Sequence, residues 1–163
     1  MAGKVKNQHR LKQKEVRDLL ERLRAQYKTD LFPENAVVDS GTLEEFTVVL
    51  VNGQVDFFRW NDREVMTLLG IEKYRPPGRC VTVDMGAIRF ISNGADVMAP
   101  GVVAADPQIQ EGDEVWVCDQ MHHKPLAVGI ALVSGETMTA SKTGKAVKTL
   151  HYVGDLLWVL THS

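Results

Sequence analysis

The chain has 163 residues, 44% hydrophobic and 25% charged, with a formal net charge of −2. That suffices for one ordinary domain or two small ones and lies clear of the disordered range. The longest nearly apolar run, Leu126 to Val133, is too short to span a bilayer, and the polar, basic N-terminus does not read as a signal peptide. Two cysteines, Cys80 and Cys118, are too few for a disulfide framework and point to a reducing, cytoplasmic setting.

Charge is segregated along the chain. Residues 1–28 carry nine Lys/Arg against Glu15, Asp18 and Glu21, which is +6, so the remainder carries −8 of the net −2. Such an imbalance points to an anionic partner for the N-terminal segment. From about Gln8 to Tyr27 the spacing predicts one amphipathic helix. Val16, Leu19, Leu20, Leu23 and Tyr27 recur at three and four to form an apolar stripe. Arg10, Lys14, Arg17, Arg24 and Lys28 follow the same spacing on a neighbouring stripe, interrupted by Glu21. A stripe of cations suits phosphates, each contact releasing counterions. It equally suits a solvated face with intrahelical pairs such as Asp18–Arg22, worth roughly 0.2–0.5 kcal/mol each.

After a loop at Thr29–Asn35, Ala36–Asp39 is a weak strand candidate. Glu45–Val51, Asn52-Gly53 and Gln54–Trp60 form a strong hairpin signal, because Asn-Gly suits the type I′ turn. Phe46, Val48 and Leu50 would share the face that meets the helix stripe. Residues 64–69 read as a short helix, and Arg75-Pro-Pro-Gly78 as a linker, since paired prolines disfavour helix and supply no amide donors. These signals predict an α+β domain over 1–75 (a long basic helix plus an antiparallel hairpin), a Pro-rich linker at 76–78 and a second domain over 79–160.

The second segment is a series of short strands and turns. Val81 and Val83 alternate as a strand. Asp84 is placed to cap a short helix, with Ile88 and Ile91 as its buried face, and Gly94 and Met98-Ala-Pro-Gly101 turn the chain twice. Strands are expected at Val102–Ala105, Glu114–Cys118, Leu126–Val133, Lys145–Leu150 and Asp155–Leu160. So many short strands in so few residues predict a small barrel or sandwich.

Val83-Asp-Met-Gly-Ala-Ile88, Gly94-Ala95, Val97-Met-Ala-Pro-Gly101, Gly112-Asp-Glu-Val115, Ala127-Val-Gly129, Gly144-Lys-Ala146 and His151–Trp158, in this order, resemble a PUA domain. This is the RNA-binding domain named for pseudouridine synthases and archaeosine transglycosylases, and the resemblance implies a small mixed β-barrel. Val48–Arg59, joined to such a domain and preceded by a basic helix, resembles the MCT-type family (malignant T-cell amplified sequence) and its archaeal relatives. Where that family places Pro-Thr-Leu after the hairpin, this chain has Val65-Met-Thr-Leu68.

The resemblance implies RNA lying across the Phe90–Gly101 junction and along Lys145–His151. The residues singled out in and beside these segments are Arg89, Gly94, Ala95, Met98, Pro100, Gly101, Lys145, Lys148 and His151. The chemistry is suitable: glycines admit close backbone approach, Met98 and Pro100 offer apolar surface to an unstacked base, and the lysines supply charge. On a regular strand Lys145 and Lys148 would point to opposite faces. The family further implies a role in translation initiation, reinitiation or recycling. Its partners there are the small ribosomal subunit, its rRNA or initiator tRNA, and a density-regulated partner protein. A module delivering tRNA or rRNA to a modification enzyme is the alternative.

Enzyme motifs are incomplete. Lys142-Thr-Gly144 lacks an accompanying Ser-x-x-Lys, and Gly144-Lys145 is followed by Ala146 rather than Ser/Thr. Cys80, Cys118, His122 and His123 lack zinc-knuckle spacing. No catalytic residue, metal or cofactor is expected.

Overall fold

The computed structural model describes residues 5–162; Lys4 of the basic segment lies outside them. The chain divides into two compact units. One comprises the chain up to Pro77 together with the residues from Val159 on, and the other is Gly78–Trp158.

The first unit is built on a five-stranded antiparallel sheet. Its order is β1 (Lys6–Arg10), β2 (Val38–Leu43), β3 (Phe46–Val51), β4 (Gln54–Trp60) and β5 (Arg63–Met66). Helices α1 (Gln13–Tyr27) and α2 (Leu68–Tyr74) accompany it. The stripe Val16, Leu19, Leu20, Leu23 and Tyr27 is buried, as its spacing predicts. The helix starts later than expected, however, because Lys6–Arg10 pairs with β2 instead. Asp39 on β2 draws that segment in: its carboxylate accepts from Gln8 Nε2 at 2.6 Å and from Arg10 Nε at 2.5 Å. Burial alone would push the Asp39 carboxyl up, but these two donors together hold it below the usual carboxylate range. Glu15 then starts α1 by accepting from the Lys12 amide at 2.9 Å.

The Asn52-Gly53 turn has positive φ at both residues, 51° and 84°, as a type I′ hairpin requires. Asn61-Asp62 repeats the device with φ of 47° and 61°. It folds Arg63–Met66 back onto β4, with Val65 opposite Phe58 and Met66 opposite Phe57. The helix expected over 64–69 is therefore a strand, and the helix begins only after Thr67. The Thr67 hydroxyl caps it by accepting from Gly70 N at 3.1 Å while donating to Val55 O at 2.9 Å. The α1-facing side of the sheet also differs from expectation. Tyr27 meets Phe57, 6.3 Å between ring centroids, and Phe57 sits opposite Val49. Phe46 packs on Phe58 on the other face, 6.0 Å away. Val48 through Val51 are all buried, so burial falls on both faces of β3.

The second unit is a six-stranded sheet in the order β7 (Val97–Met98), β11 (Lys145–Tyr152), β10 (Pro125–Ala131), β9 (Glu114–Asp119), β6 (Cys80–Val83) and β8 (Val102–Ala105). Only β6 and β9 run parallel among these pairs. A tight turn at Ala99–Gly101 links the two edge strands, β7 and β8, so the sheet nearly closes into a mixed barrel. Val81, Val83, Val115, Val117, Ala127 and Val147 fill it. The architecture is thus α+β followed by a small mixed barrel, as the sequence pattern predicts.

Three short helices decorate this unit: α3 (Ile88–Ile91), α4 (Gly135–Ala140) and the start of α5 (Leu156–Thr161). The strand expected over 155–160 is α5. Asp155 decides it: the carboxylate accepts from Trp158 N at 2.7 Å and from Tyr152 N at 2.9 Å, an N-cap that outweighs the β-propensity of Trp-Val. No described helix is long and apolar enough to cross a membrane.

Candidate nucleic-acid interface

Strand β6 delivers the chain to Asp84, whose carboxylate accepts from Ala87 N at 2.9 Å and starts a single 3-10 turn at Met85–Ala87. Helix α3 follows directly and buries Ile91, which leaves Phe90 turned outward and 54% exposed. Gly94, at φ 85°, ends this run against the Tyr152 ring, where a Cβ would come within 2.9 Å of the ring edge. The chain then returns through β7 and the Ala99–Gly101 turn. There the Asp84 amide donates to Gly101 O at 2.9 Å, and a Cβ on Gly101 would lie 3.3 Å from that of Ala87.

Between these two turns lies a cleft of about 660 Å³. Its floor and walls are mostly apolar, with Phe90, Met98 and Pro100 exposed at the surface. At its rim Lys145 Nζ donates to Asp96 Oδ2 at 3.1 Å, and Thr149 N donates to Asp96 Oδ1 at 3.0 Å. The cleft is therefore a flat apolar seat with charge at the edge, and it can hold an unstacked ring while a phosphate stays outside.

The structure gathers some of the residues designated from sequence and disperses others. Ala95, Met98, Pro100, Gly101 and Lys145 line the cleft, and Gly94 shapes it from behind. Arg89 lies outside the lining, with its guanidinium 4.8 Å from the Phe90 ring centroid. Lys148 does not line the cleft, although it is exposed like Lys145. An irregularity in β11 buries both Ala146 and Val147, so the simple alternation expected for the two lysines does not hold. His151 is 1% exposed, and its Nδ1 lies 2.9 Å from Asp155 Oδ2, so it is removed from the surface where RNA would lie. Burial raises the Asp155 carboxyl, but the His151 contact and the Trp158 and Tyr152 amides outweigh that and hold it low.

Phe90 and Asp96 fall within the Phe90–Gly101 junction expected to meet RNA but are not among the site residues singled out from sequence, and Asp84 is read there only as a helix cap. Phe90 had a signal: it sits off the Ile88/Ile91 stripe, so a helix through these residues must turn it outward. For Asp96 there was none, since its pairing with Lys145 depends on β7 lying beside β11.

In the first unit, Lys14, Arg17, Arg24 and Lys28 are exposed on α1 or at its end, and none makes an ion pair among the described residues. Arg10 does not belong with them, because it stands on β1 and pairs with Asp39. Arg22 is engaged by buried Glu64 at 3.1 Å, which Arg59 also contacts at 3.2 Å.

Residues 79–153 match the PUA domain, and the nearly closed mixed barrel is consistent with that fold. An uncharacterized protein of Methanocaldococcus jannaschii is 39% identical over 156 residues, covering 94% of this chain and 96% of that one. A crystal structure of a hypothetical protein from Pyrococcus horikoshii superposes with a TM-score of 0.82 at 35% identity, covering 94% of this chain and 99% of that one. Eukaryotic relatives include translation machinery-associated protein 20 of Saccharomyces cerevisiae, 27% identical over 79% of this chain and 75% of its own length. Another is the malignant T-cell-amplified sequence 1 homolog of Drosophila melanogaster, 34% identical over 68% of this chain and 64% of its own. The chain belongs to the MCT-type family of PUA-domain proteins.

Proposed function

We propose that this protein is a non-enzymatic RNA-binding protein of the translation machinery. It contacts small-subunit rRNA or initiator tRNA during initiation, reinitiation or recycling, in the cytoplasm. The observation that carries the reading is the cleft: an exposed aromatic and an exposed Met beside a Pro-Gly turn, with Lys145 at the rim. An unstacked base on Phe90 accounts for a large exposed ring that a barrel core does not need. A relative named for its association with the translation machinery supports the process. The exposed cations of α1 offer a second, sequence-independent contact to phosphates. A density-regulated-like protein is the expected partner on the ribosome.

Lys145 contributes less net attraction than its position suggests, because Asp96 neutralises it in the free protein. Stacking on Phe90 is therefore the stronger handle. Base–aromatic stacking is worth about 1–3 kcal/mol, so Phe90→Ala weakens RNA binding about 5- to 150-fold with little effect on folding. Crosslinking in cells followed by sequencing of the attached RNA tests the target. Small-subunit rRNA or initiator tRNA supports the reading, and recovery dominated by sites of tRNA modification overturns it.

A further inference from the structure

The charged side chains lining the cleft are those of Asp84, Asp96 and Lys145, two carboxylates and one ammonium, and Met98 adds only a thioether sulfur, a weak acceptor. Two of these three are occupied with each other: Asp96 accepts from Lys145 Nζ through one oxygen and from Thr149 N through the other. Asp84 differs. Its Oδ1 accepts from Ala87 N at 2.9 Å, while its Oδ2 takes no hydrogen bond among the described residues. The side chain is held in place, since the cap bond anchors one oxygen and the Asp84 amide ties the residue to Gly101 O at 2.9 Å. An ionised carboxylate offers only acceptors. The cleft therefore holds a positioned acceptor waiting for a donor.

Resting on the reading of this cleft as an RNA seat, we infer that Asp84 makes it discriminate between bases, favouring one whose pairing edge carries an exocyclic amino group, such as cytosine, over uracil. Cytosine presents N4–H₂ as a donor at the position where uracil presents O4 as an acceptor. A carboxylate beside N4–H₂ gains a charge-assisted hydrogen bond. The same carboxylate beside O4 is desolvated without a partner and faces a second acceptor. A site built to bond a group rejects the analogue that lacks it, because its own polar atom is left unpaired. Phe90 and Met98 contribute to both bases alike, so the difference falls on Asp84.

Fluorescence anisotropy on the full chain at low salt tests this with three short labelled oligomers: oligo(C), oligo(U), and the 2-pyrimidinone analogue, which is cytosine without its amino group. Oligo(C) is expected to bind about tenfold more tightly than either of the others. Asp84→Asn keeps the helix cap, since Asn caps as well as Asp, but adds a donor and removes the charge. It is expected to bring the C-to-U ratio near one. Equal affinity of the three oligomers, a preference for oligo(U), or a preference unchanged by Asp84→Asn overturns the inference while leaving RNA binding in place. If Phe90→Ala leaves binding unchanged, or if no oligomer binds, the cleft is not the seat, and the underlying reading falls with the inference. The pyrimidinone comparison alters only the ligand, so it stands even if the Asp84 variant folds poorly.

Discussion

Asp56 has no exposed surface, yet its carboxylate lies 2.8 Å from Lys73 Nζ and 2.5 Å from the Tyr74 hydroxyl. Burial raises the Asp56 carboxyl, and the contacts from Lys73 and Tyr74 only partly offset that. The same carboxylate, together with burial, drives the Tyr74 hydroxyl far above its ordinary range, so it stays a donor. This trio holds α2 against β4, with the Tyr74 ring stacked on Phe57 at 6.0 Å. Lys73→Met leaves a buried carboxylate with only Tyr74, at a cost of about 3 kcal/mol at neutral pH. The sign with pH follows from the direction of the shift. The folded pKa lies above the unfolded 3.8 and rises further without Lys73. Relief by protonation is therefore present in acid and lost as pH rises through the folded pKa. Chemical denaturation at pH 4 and pH 7 should show a variant-to-wild-type deficit clearly larger at pH 7.

Helix α1 shows how one element carries two separate jobs. Its Val16, Leu19, Leu20, Leu23 and Tyr27 stripe is core, so deleting residues 1–28 would unfold the first unit rather than report on RNA. Replacing Lys14, Arg17 and Arg24 by Ala, and Lys28, which ends the helix at φ 55°, by Asn, acts on the exposed side alone; Ala favours helix at the first three and Asn tolerates the last. On the RNA-binding reading, the plot of log affinity against log salt should become shallower by about 0.7 for each cation that touches a phosphate. An unchanged slope would assign this face to solvent. In the second unit, the segment from α3 to β7 depends on Gly94. Gly94→Ala forces a side chain into φ 85° and into the Tyr152 ring, which costs about 1–3 kcal/mol of stability. Thermal denaturation checks the loss, and a matching fall in RNA affinity is expected because the same turn shapes the cleft.

Across the whole molecule, much was readable from residues alone: the buried stripe of α1, the Asn52-Gly53 hairpin, the Asp84 cap, the turn at Met98–Gly101 and the many-stranded barrel. Each rests on interactions within a few positions of the chain, where spacing and turn chemistry dictate the outcome. The misread elements share a different cause. Lys6–Arg10 became a strand because β2 offered it a ladder and Asp39 on β2 accepted hydrogen bonds from its Gln8 and Arg10 side chains. Arg63–Met66 became a strand because Asn61-Asp62, a less conspicuous pair than Asn-Gly, turned it onto β4. Residues 156–161 became a helix because a single carboxylate, Asp155, capped them.

By itself the sequence determined the fold class, the segregation of positive charge and the family, because periodicity, composition and motif order are properties of the chain. The cleft was decided only in three dimensions. Its floor joins α3 to the turn after β7, its rim joins Asp96 to a lysine 49 positions away, and His151 is withdrawn into the interior. Local sequence can propose which side chains are suited to touch RNA. Which of them face one cavity depends on strand order and register, and these follow from the packing of the whole barrel.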